Sequence, residues 1–223
     1  MDFSYPHNDT SRPERPSRTA GLNKLNVSEE VLEIRRSAFA RGIPVSSDET
    51  LQFICLQAAA AGASNILEVG AAIGASGAAL LQCCPSARLT AIEKNRHFAA
   101  EAQANFDRLG LGDRVRLIEG DAADILGGLE GGYDFVFLDA AKVQYVKWLP
   151  RIRQLLAPGG LLVADDVLLY GWVNGEEQVP KKRRMLVQHI REYLEAVLSD
   201  GGLTSYVADI GDGLCISLKR RDV

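Results

Sequence analysis

From residue 65 onward, short apolar runs alternate with longer segments in which apolar residues recur at helical spacing. The apolar runs have the length of buried strands and lie at 65–69, 88–93, 114–119, 133–138 and 160–165. The segments between them predict helices at about 75–83, 95–109, 121–129 and 142–156. Strands and helices that alternate in this order indicate an α/β fold with a mostly parallel sheet and helices on both faces.

Further elements are predicted on either side of this alternation. Two helices, at 28–41 and 48–61, precede the first strand. After the fifth strand, a loop leads to an amphipathic helix and then to two apolar runs joined by a Gly-Asp-Gly turn, which predicts a hairpin. These last three segments lie at about 180–198, 203–209 and 213–219.

The composition favours one domain. A chain of 223 residues with 47% hydrophobic content can bury a single sizeable core, which we expect to span 23–223. Residues 1–22 are rich in Pro, Ser, Arg and Asn and are predicted to form a flexible tail. The cysteines include no Cys-x-x-Cys pair, which argues against a disulfide framework or a zinc site: Cys55, Cys83, Cys84 and Cys215.

Charge and hydropathy limit which partners the protein can bind and where in the cell we expect it. The net charge of −4 means that a polyanion would need a local basic patch to bind. The N-terminus lacks an apolar leader, and no apolar run is long enough to span a bilayer. We therefore expect a cytoplasmic protein with no membrane anchor.

A glycine-containing turn follows the first strand. The order is Glu68-x-Gly70-x-x-x-Gly74, which differs from the Gly-x-Gly-x-x-Gly of a dinucleotide site. A strand that turns tightly into a helix leaves backbone N–H groups free for a ligand, and glycine lets the ligand approach. Because Glu68 would repel a pyrophosphate, the pattern favours a neutral or cationic ligand such as S-adenosylmethionine. The alternative is an ordinary strand-turn-helix without a ligand.

Two later strand ends extend this binding site. Glu93 ends the second strand, where a carboxylate can accept hydrogen bonds from the two hydroxyls of a ribose. The turn Gly120-Asp121-Ala122 follows the third strand and is expected to flank the adenine. The alternative for Glu93 is a solvated strand end.

Carboxylates follow the fourth and fifth strands. Asp139 comes after one apolar run, and Asp165 and Asp166 come after the next. If the two strands are neighbours, these side chains converge and repel one another unless they are protonated or bind a cation. Oxygen ligands suit Mg²⁺ first, then Mn²⁺ or Ca²⁺. The alternative is one helix-capping Asp and one solvated Asp pair.

Lys142 lies three residues after Asp139, so a helix that starts there would place both on one face. A lysine near a metal ion and a sulfonium has a lowered pKa, because positive neighbours disfavour its charged form. Lys142 is therefore a candidate general base toward an acceptor hydroxyl. The alternative is an exposed lysine without a role.

Several motifs together resemble the cation-dependent O-methyltransferases, a family that includes catechol and caffeoyl-CoA O-methyltransferases. The similarity covers roughly residues 27–219, and its motifs are Glu68–Ser76, Leu138–Lys142, Pro158–Gly160, Ala164–Leu168 and Ile210–Leu214. The resemblance implies a class I methyltransferase Rossmann-like fold, with a seven-stranded mostly parallel sheet and an antiparallel last strand. It also implies a homodimer.

The resemblance assigns roles to residues. It implies that the cofactor S-adenosylmethionine is bound by Val45, Glu68, Gly70, Ala71, Ser76, Glu93, Ala122 and Asp139. It implies that a divalent cation is bound by Asp139, Asp165 and Asp166, and that Lys142 and Asp139 are catalytic. The family usually has Asp-Asn where this chain has Asp165-Asp166, so the extra carboxylate can alter metal preference.

The acceptor is the open question. Three segments are most similar to the bacterial tRNA 5-hydroxyuridine methyltransferases, which act at the wobble position: Gly42–Val45, Leu168–Val173 and Gly211–Lys219. A basic group is expected to hold anticodon phosphates: Lys147, Arg151, Arg153, Lys181, Lys182, Arg183, Arg184 and Arg191. Trp172 or Tyr170 is expected to stack on a splayed base. The alternatives are a solvated helix face and a small catechol or phenolic acceptor.

Two readings from other classes stay open. An NAD-dependent oxidoreductase would need the Gly-x-Gly-x-x-Gly turn, which this segment lacks. A binding module without activity is disfavoured by the complete set of Asp139, Lys142 and Asp165.

Overall fold

The structure is a computed structural model, and it describes residues 22–221. The tail predicted at 1–22 therefore lies, apart from Leu22, outside the described residues. The strands are β1 (Asn65–Val69), β2 (Arg88–Glu93), β3 (Val115–Glu119), β4 (Tyr133–Leu138), β5 (Leu156–Ala164), β6 (Leu203–Ala208) and β7 (Leu214–Lys219). The helices are α1 (Glu29–Ala40), α2 (Asp48–Ala60), α3 (Ala75–Cys83), α4 (Arg96–Arg108), α5 (Ala122–Ile125), α6 (Tyr145–Leu155) and α7 (Arg184–Ser199).

All seven strands form one sheet in the order β3-β2-β1-β4-β5-β7-β6. The first five strands are parallel to one another, whereas β7 is antiparallel to both β5 and β6. The predicted α/β fold is confirmed, including the antiparallel last strand and the hairpin that β6 and β7 form. No helix within residues 22–221 is both long and apolar enough to cross a membrane.

Each face of the sheet has its own hydrophobic core, because successive residues of a strand point to opposite faces. In β1, Ile66 belongs to a core that includes residues of α2, α3 and α4. Its neighbour Leu67 belongs to a second core that includes residues of α5, α6 and α7. The continuous apolar runs of the central strands follow from this burial on two sides.

Four predicted boundaries are wrong, each by a few residues. Helix α5 ends at Ile125 rather than 129, because Leu126–Gly128 form a separate 3₁₀ turn. Helix α6 begins at Tyr145 rather than 142, because Lys142–Gln144 form a separate 3₁₀ turn. Helix α7 begins at Arg184 for the same reason, after the 3₁₀ turn Lys181–Arg183. Strand β5 begins at Leu156, ahead of its Pro-Gly-Gly segment, and a register shift between Tyr133 and Phe135 accommodates the irregular residues.

The sheet order changes direction between β1 and β4, which are neighbours although two strands separate them along the chain. Loops that follow strands on either side of such a switch point diverge and leave a crevice at the carboxyl ends of the strands. The loops after β1, β2, β4 and β5 carry most of the residues that the sequence analysis selected. The fold thus provides a site at this edge of the sheet.

Candidate active site

The glycine turn after β1 meets the loop after β4 at the switch point. Gly70 has φ +100°, and a Cβ there would lie 1.9 Å from the carbonyl oxygen of Asp139. Gly74 has φ +86°, and a Cβ there would lie 2.9 Å from Cζ of Phe106. Both glycines are therefore required by the packing of the protein itself, in addition to any ligand that the turn accepts.

A cleft, called here the main cleft, opens above this junction. Of the residues predicted to be functional, those that line it are Val45, Gly70, Glu93, Asp139, Lys142, Asp165 and Asp166. A second cleft, which shares Gly70, Glu93 and Lys142, extends past Ala122 to the start of α7. A smaller recess, which shares Val45, Gly70 and Asp139, reaches Ala71 and Ser76. The three spaces adjoin one another and together contain every predicted site residue except Glu68.

Lys142 lies at the centre of the carboxylates. Its Nζ is 2.6 Å from Oδ1 of Asp139 and 3.0 Å from Oδ2 of Asp166. Asp165 lies next to this pair and is 2% exposed, and its Oδ1 accepts a hydrogen bond from the backbone N–H of Asp166. The convergence that the sequence predicted from two neighbouring strand ends is therefore present, with an ammonium group between two of the carboxylates.

Tyr145 fixes the turn that carries these groups. Its hydroxyl donates to the carbonyl of Leu138 at 2.9 Å and accepts from the N–H of Ala140 at 3.2 Å. The Lys142 ammonium lies 5.6 Å from the centre of the Tyr145 ring, a cation–π distance. The Tyr145 side chain is fully buried. Its hydroxyl holds the backbone on both sides of Asp139, and its ring lies beneath the Lys142 ammonium.

The protein's own charges set the protonation of Lys142. Burial disfavours its ammonium, but the carboxylates of Asp139 and Asp166 favour it more strongly, so the pKa of Lys142 is raised well above its ordinary value. The lowered pKa expected beside a metal ion and a sulfonium is not a property of these residues alone. Burial, with Asp166 and Asp139 nearby, also raises the pKa of Asp165 well above its usual range.

The oxygen atoms at this site suit a hard divalent cation. Within the described part of the chain, no group of three or more His, Cys, Asp or Glu side chains is already arranged around a metal position. Asp139 and Asp166 instead pair with Lys142, while burial first, and then repulsion from Asp166 and Asp139, raises the pKa of Asp165. Asp166 has φ +56°, a left-handed conformation that Asp and Asn adopt more readily than most residues.

Glu93 connects the two loops beside it. Its Oε2 accepts the N–H of Ala72 at 2.8 Å, and its Oε1 accepts the N–H of Asn95 at 2.7 Å. The side chain is 6% exposed, and burial raises its pKa despite these hydrogen bonds. Glu93 lines both large clefts, which is the position expected of a ribose-binding carboxylate.

Glu68 differs from its predicted position. Its side chain is fully buried beneath the start of α3 and lines none of the three spaces described above. Its Oε1 accepts a hydrogen bond from the Ser76 hydroxyl at 2.5 Å, while Oε2 has no partner among residues 22–221. Burial raises the pKa of Glu68 to about 8. It is therefore mostly protonated at neutral pH and does not repel an anion as the sequence analysis assumed.

Several residues that line the main cleft were not predicted: Ser46, Ser47, Thr50, Phe98 and Asp212. The hydroxyl of Ser46 donates to Oδ2 of Asp139 at 3.3 Å. Asp212, in the turn of the β6–β7 hairpin, accepts the N–H of Tyr170 at 2.6 Å. The Gly-Asp-Gly turn was visible in the sequence, but its contact with the loop after β5 depends on the position of β7 beside β5.

The predicted basic group divides in two. Arg151, Arg153 and Arg191 are engaged within the protein: Arg151 and Arg191 donate to backbone carbonyls, and Arg153 pairs with Asp200 at 3.1 Å. By contrast, Lys182 and Arg183 line the second cleft, Lys181 and Arg184 are exposed beside them, and Lys147 is exposed on α6. The group available for phosphate is therefore smaller than the sequence suggested.

The predicted aromatic stacking residue is also corrected in part. Trp172 is 4% exposed and packs in the core on the α6–α7 side of the sheet. Tyr170 is partly exposed, with its ring 5.0 Å from that of Trp172. Of the two, Tyr170 is the residue that a base could reach.

Comparison with known proteins gives a consistent result. The sequence model of the O-methyltransferase family matches residues 23–220. A catechol O-methyltransferase from Niastella koreensis is 36% identical over 153 residues, which cover 66% of this chain and 69% of that protein.

Solved structures agree with this match. A Staphylococcus aureus protein, provisionally named as a caffeoyl-CoA O-methyltransferase, superimposes with a TM-score of 0.81 at 31% identity, covering 86% of this chain and 93% of that one. The O-methyltransferase TomG from Streptomyces achromogenes, solved in complex with SAM, gives a TM-score of 0.75 at 26% identity, with 88% and 92% covered.

Proposed function

Because this chain belongs to the O-methyltransferase family and is an S-adenosylmethionine-dependent enzyme, we propose a specific reaction for it. The enzyme transfers the methyl group of S-adenosylmethionine to an acidic hydroxyl that has a second oxygen next to it, with the help of a divalent cation. The first candidate acceptor is 5-hydroxyuridine at the wobble position of tRNA. A small catechol or phenolic compound is the second.

The observation that carries this proposal is the position of Lys142. Its ammonium lies within hydrogen-bond distance of Asp139 and Asp166, at the carboxyl ends of adjacent strands and inside the main cleft. In this ion-paired state Lys142 holds its proton, so it would act as a base only when a bound cation neutralises the carboxylates and lowers its pKa.

The residues present fit a divalent cation by the chemistry of their donor atoms. The cation would be held by Asp139, Asp165 and Asp166, since all three offer carboxylate oxygens at the same edge of the sheet. When bound, the cation would supply positive charge that lowers the pKa of the acceptor hydroxyl and of Lys142.

The protein's own part in the reaction follows from the geometry. Glu93 and the glycine turn bind and orient S-adenosylmethionine, and Lys142 accepts the proton of the acceptor hydroxyl at Nζ. The oxygen lone pair forms the new bond to the methyl carbon as the carbon–sulfur bond breaks. The electron pair of that bond stays on sulfur, which gives S-adenosylhomocysteine.

Two features support tRNA as the acceptor. Lys182 and Arg183 line the second cleft next to exposed Lys181, so phosphates could bind close to the reaction centre. Tyr170 is partly exposed in the loop after β5, four residues after Asp166, and is the aromatic side chain proposed to stack on a splayed base. In 5-hydroxyuracil, the hydroxyl and the neighbouring O4 offer the paired oxygens that the site favours.

The catechol alternative rests on the relatives. A catechol also carries two adjacent oxygens, and a 36% identical relative is named for this activity. Such a molecule would place its two oxygens beside Asp139, Lys142 and Asp166, which line the main cleft.

The test is methyl transfer from labelled S-adenosylmethionine to two acceptors in parallel, tRNA that carries 5-hydroxyuridine and caffeic acid. Label in the tRNA is the expected result. Label in caffeic acid alone would favour the second candidate and would make the start of α7 a solvated surface. Label in neither would contradict both acceptors.

A further inference from the structure

Arg35 is a buried, positively charged residue that has no role in the proposed reaction as described above. It lies on α1, is 9% exposed, and lines the recess that also contains Gly70, Ser76 and Asp139. Arginine is seldom buried to this extent without a partner that occupies its planar guanidinium. The hydrogen bonds of Arg35, and the donors that it leaves unused, therefore indicate which kind of ligand the recess can bind.

The guanidinium is only partly satisfied. Its Nη2 donates to the carbonyl of Ser46 at 2.8 Å and to Oδ1 of Asp48 at 2.6 Å. Its Nη1 and Nε have no hydrogen-bond acceptor among residues 22–221. Since a guanidinium has five N–H donors, this side chain can still bind a carboxylate.

The N-terminus of α3 adds a second positive feature to the same recess. This helix has nine residues, begins after Gly74, and has no side-chain hydrogen bond at its N-cap. The Ser76 hydroxyl, which lies in its first turn, donates to Glu68 instead. Unpaired N–H groups and the helix dipole both favour an anion at this end. Burial raises the pKa of Glu68 to about 8, so its charge does not oppose one at neutral pH.

Charges of both signs therefore line the recess. Arg35 and the start of α3 provide positive charge, and Asp139 provides a negative charge at the side toward the main cleft. The methionine end of S-adenosylmethionine is a zwitterion, with one carboxylate and one ammonium group. We infer that Arg35 binds the carboxylate of this methionine end, so that α1 forms part of the cofactor site. This inference rests on the proposed function.

A purely structural role for Arg35 makes a different prediction. By holding Ser46 and Asp48, Arg35 also anchors the loop that brings Val45 and Ser46 to the cleft. Loss of that anchor would lower the affinity of every ligand that contacts the loop. Loss of a residue that binds the carboxylate would lower the affinity only of ligands that have the carboxylate.

The experiment compares two ligands by calorimetry on the full-length protein. One is S-adenosylhomocysteine, and the other is its decarboxylated analogue, in which hydrogen replaces the carboxyl group. Wild-type protein is expected to bind S-adenosylhomocysteine at least about tenfold more tightly than the analogue, as for a charged hydrogen bond. In Arg35→Gln this ratio is expected to shrink about tenfold, mainly through weaker binding of S-adenosylhomocysteine.

Three further variants make the result specific. Arg35→Lys keeps the positive charge without the planar fork and should give an intermediate ratio. It also serves if Arg35→Gln does not fold. Asp48→Ala removes the side-chain part of the loop anchor but keeps Arg35, so the ratio should stay as in wild type. Arg36→Gln, on the exposed side of the same helix, should change neither affinity.

Every result of this experiment either supports or contradicts the binding of the carboxylate by Arg35. Equal weakening of both ligands in Arg35→Gln, or a wild-type protein that does not distinguish them, would overturn the inference. Wild-type protein that binds neither ligand would instead contradict the proposed function, on which the inference depends.

Discussion

The Lys142 ammonium lies 2.6 Å from Oδ1 of Asp139, three residues before it in the chain. A 3₁₀ turn over Lys142–Gln144 brings the two side chains together, and Tyr145 holds the turn from below. The pair is the centre of the proposed reaction, since one group would bind the cation and the other would accept the proton.

Replacing Lys142 by Gln tests its role as the base. Because the proton would have no acceptor of comparable position, kcat is expected to fall by about 10²- to 10⁴-fold. The Kd for S-adenosylhomocysteine should stay close to that of wild type. Lys24→Gln, an exposed lysine ahead of α1, is the matched control and should keep full activity. Steady-state kinetics and calorimetry measure both quantities, and a kcat near wild type in Lys142→Gln would exclude this residue as the base.

Glu93→Gln should weaken cofactor binding. The carboxylate accepts N–H groups from Ala72 and Asn95, and an amide nitrogen would face one of these donors. The ribose hydroxyls would also lose their charged acceptor, which costs roughly 1.5 to 3 kcal/mol, so the Kd for S-adenosylhomocysteine should rise about tenfold or more.

Glu119→Gln is the control for this substitution. Glu119 is exposed and pairs in register with Glu93 across β2 and β3. Calorimetry on the two variants should show weaker binding only for Glu93→Gln. An unchanged Kd in that variant would remove Glu93 from the cofactor site.

Glu68 should make stability depend on pH. Burial raises its pKa from 4.5 to about 8 in the folded protein. The folded state therefore favours the protonated form, and this contribution is complete below pH 4.5 and is lost as the pH rises through about 8. At about 1.4 kcal/mol per unit of pKa, the loss is on the order of 5 kcal/mol across that window.

Urea unfolding at pH 5, 7 and 9 measures this effect. Glu68→Gln cannot ionise, so its free energy of unfolding should gain on that of wild type as the pH rises. Glu130→Gln, at an exposed carboxylate, should follow wild type at every pH. A constant difference between Glu68→Gln and wild type would mean that Glu68 does not titrate in this range.

Lys181 and Arg183 should govern tRNA binding if tRNA is the acceptor. Replacing both by Ala is expected to weaken tRNA binding and to make its affinity less dependent on salt. The log–log slope should fall by about 0.7 to 0.9 for each phosphate that the protein no longer neutralises. Arg88→Ala with Arg116→Ala removes two exposed arginines from β2 and β3 and is the matched control. Filter binding over a range of salt concentrations gives the affinity and its salt dependence. Unchanged binding in the Lys181→Ala, Arg183→Ala variant would contradict a role for these two residues in tRNA binding.

The overall fold could be predicted because its signals are local and repeated. Each central strand is buried on both faces and so appears as a continuous apolar run, and the Gly-Asp-Gly turn marks the final hairpin. The starts of α6 and α7 were misplaced because a 3₁₀ turn and the first turn of a helix have similar sequences.

The candidate site was predictable where residues end a parallel strand, because such ends meet at one edge of the sheet. Asp139, Asp165 and Lys142 are examples. The destination of a long side chain was not predictable. Arg191 donates to carbonyls of the loop after β5, and Glu68 lies under α3, since both positions depend on how helices dock onto the sheet.

Burial of Trp172 has the same origin: an aromatic residue in a loop is exposed or buried according to the helices that cover it. The predicted homodimer and the predicted cation stay predictions.

The most direct test of the account is methyl transfer in a single turnover, with enzyme in excess over acceptor tRNA or catechol, before and after EDTA treatment. We predict that EDTA abolishes transfer while S-adenosylhomocysteine still binds, and that Mg²⁺ or Mn²⁺ restores it in wild type but not in Asp139→Ala. Full methyl transfer in EDTA would contradict a cation held by Asp139, Asp165 and Asp166.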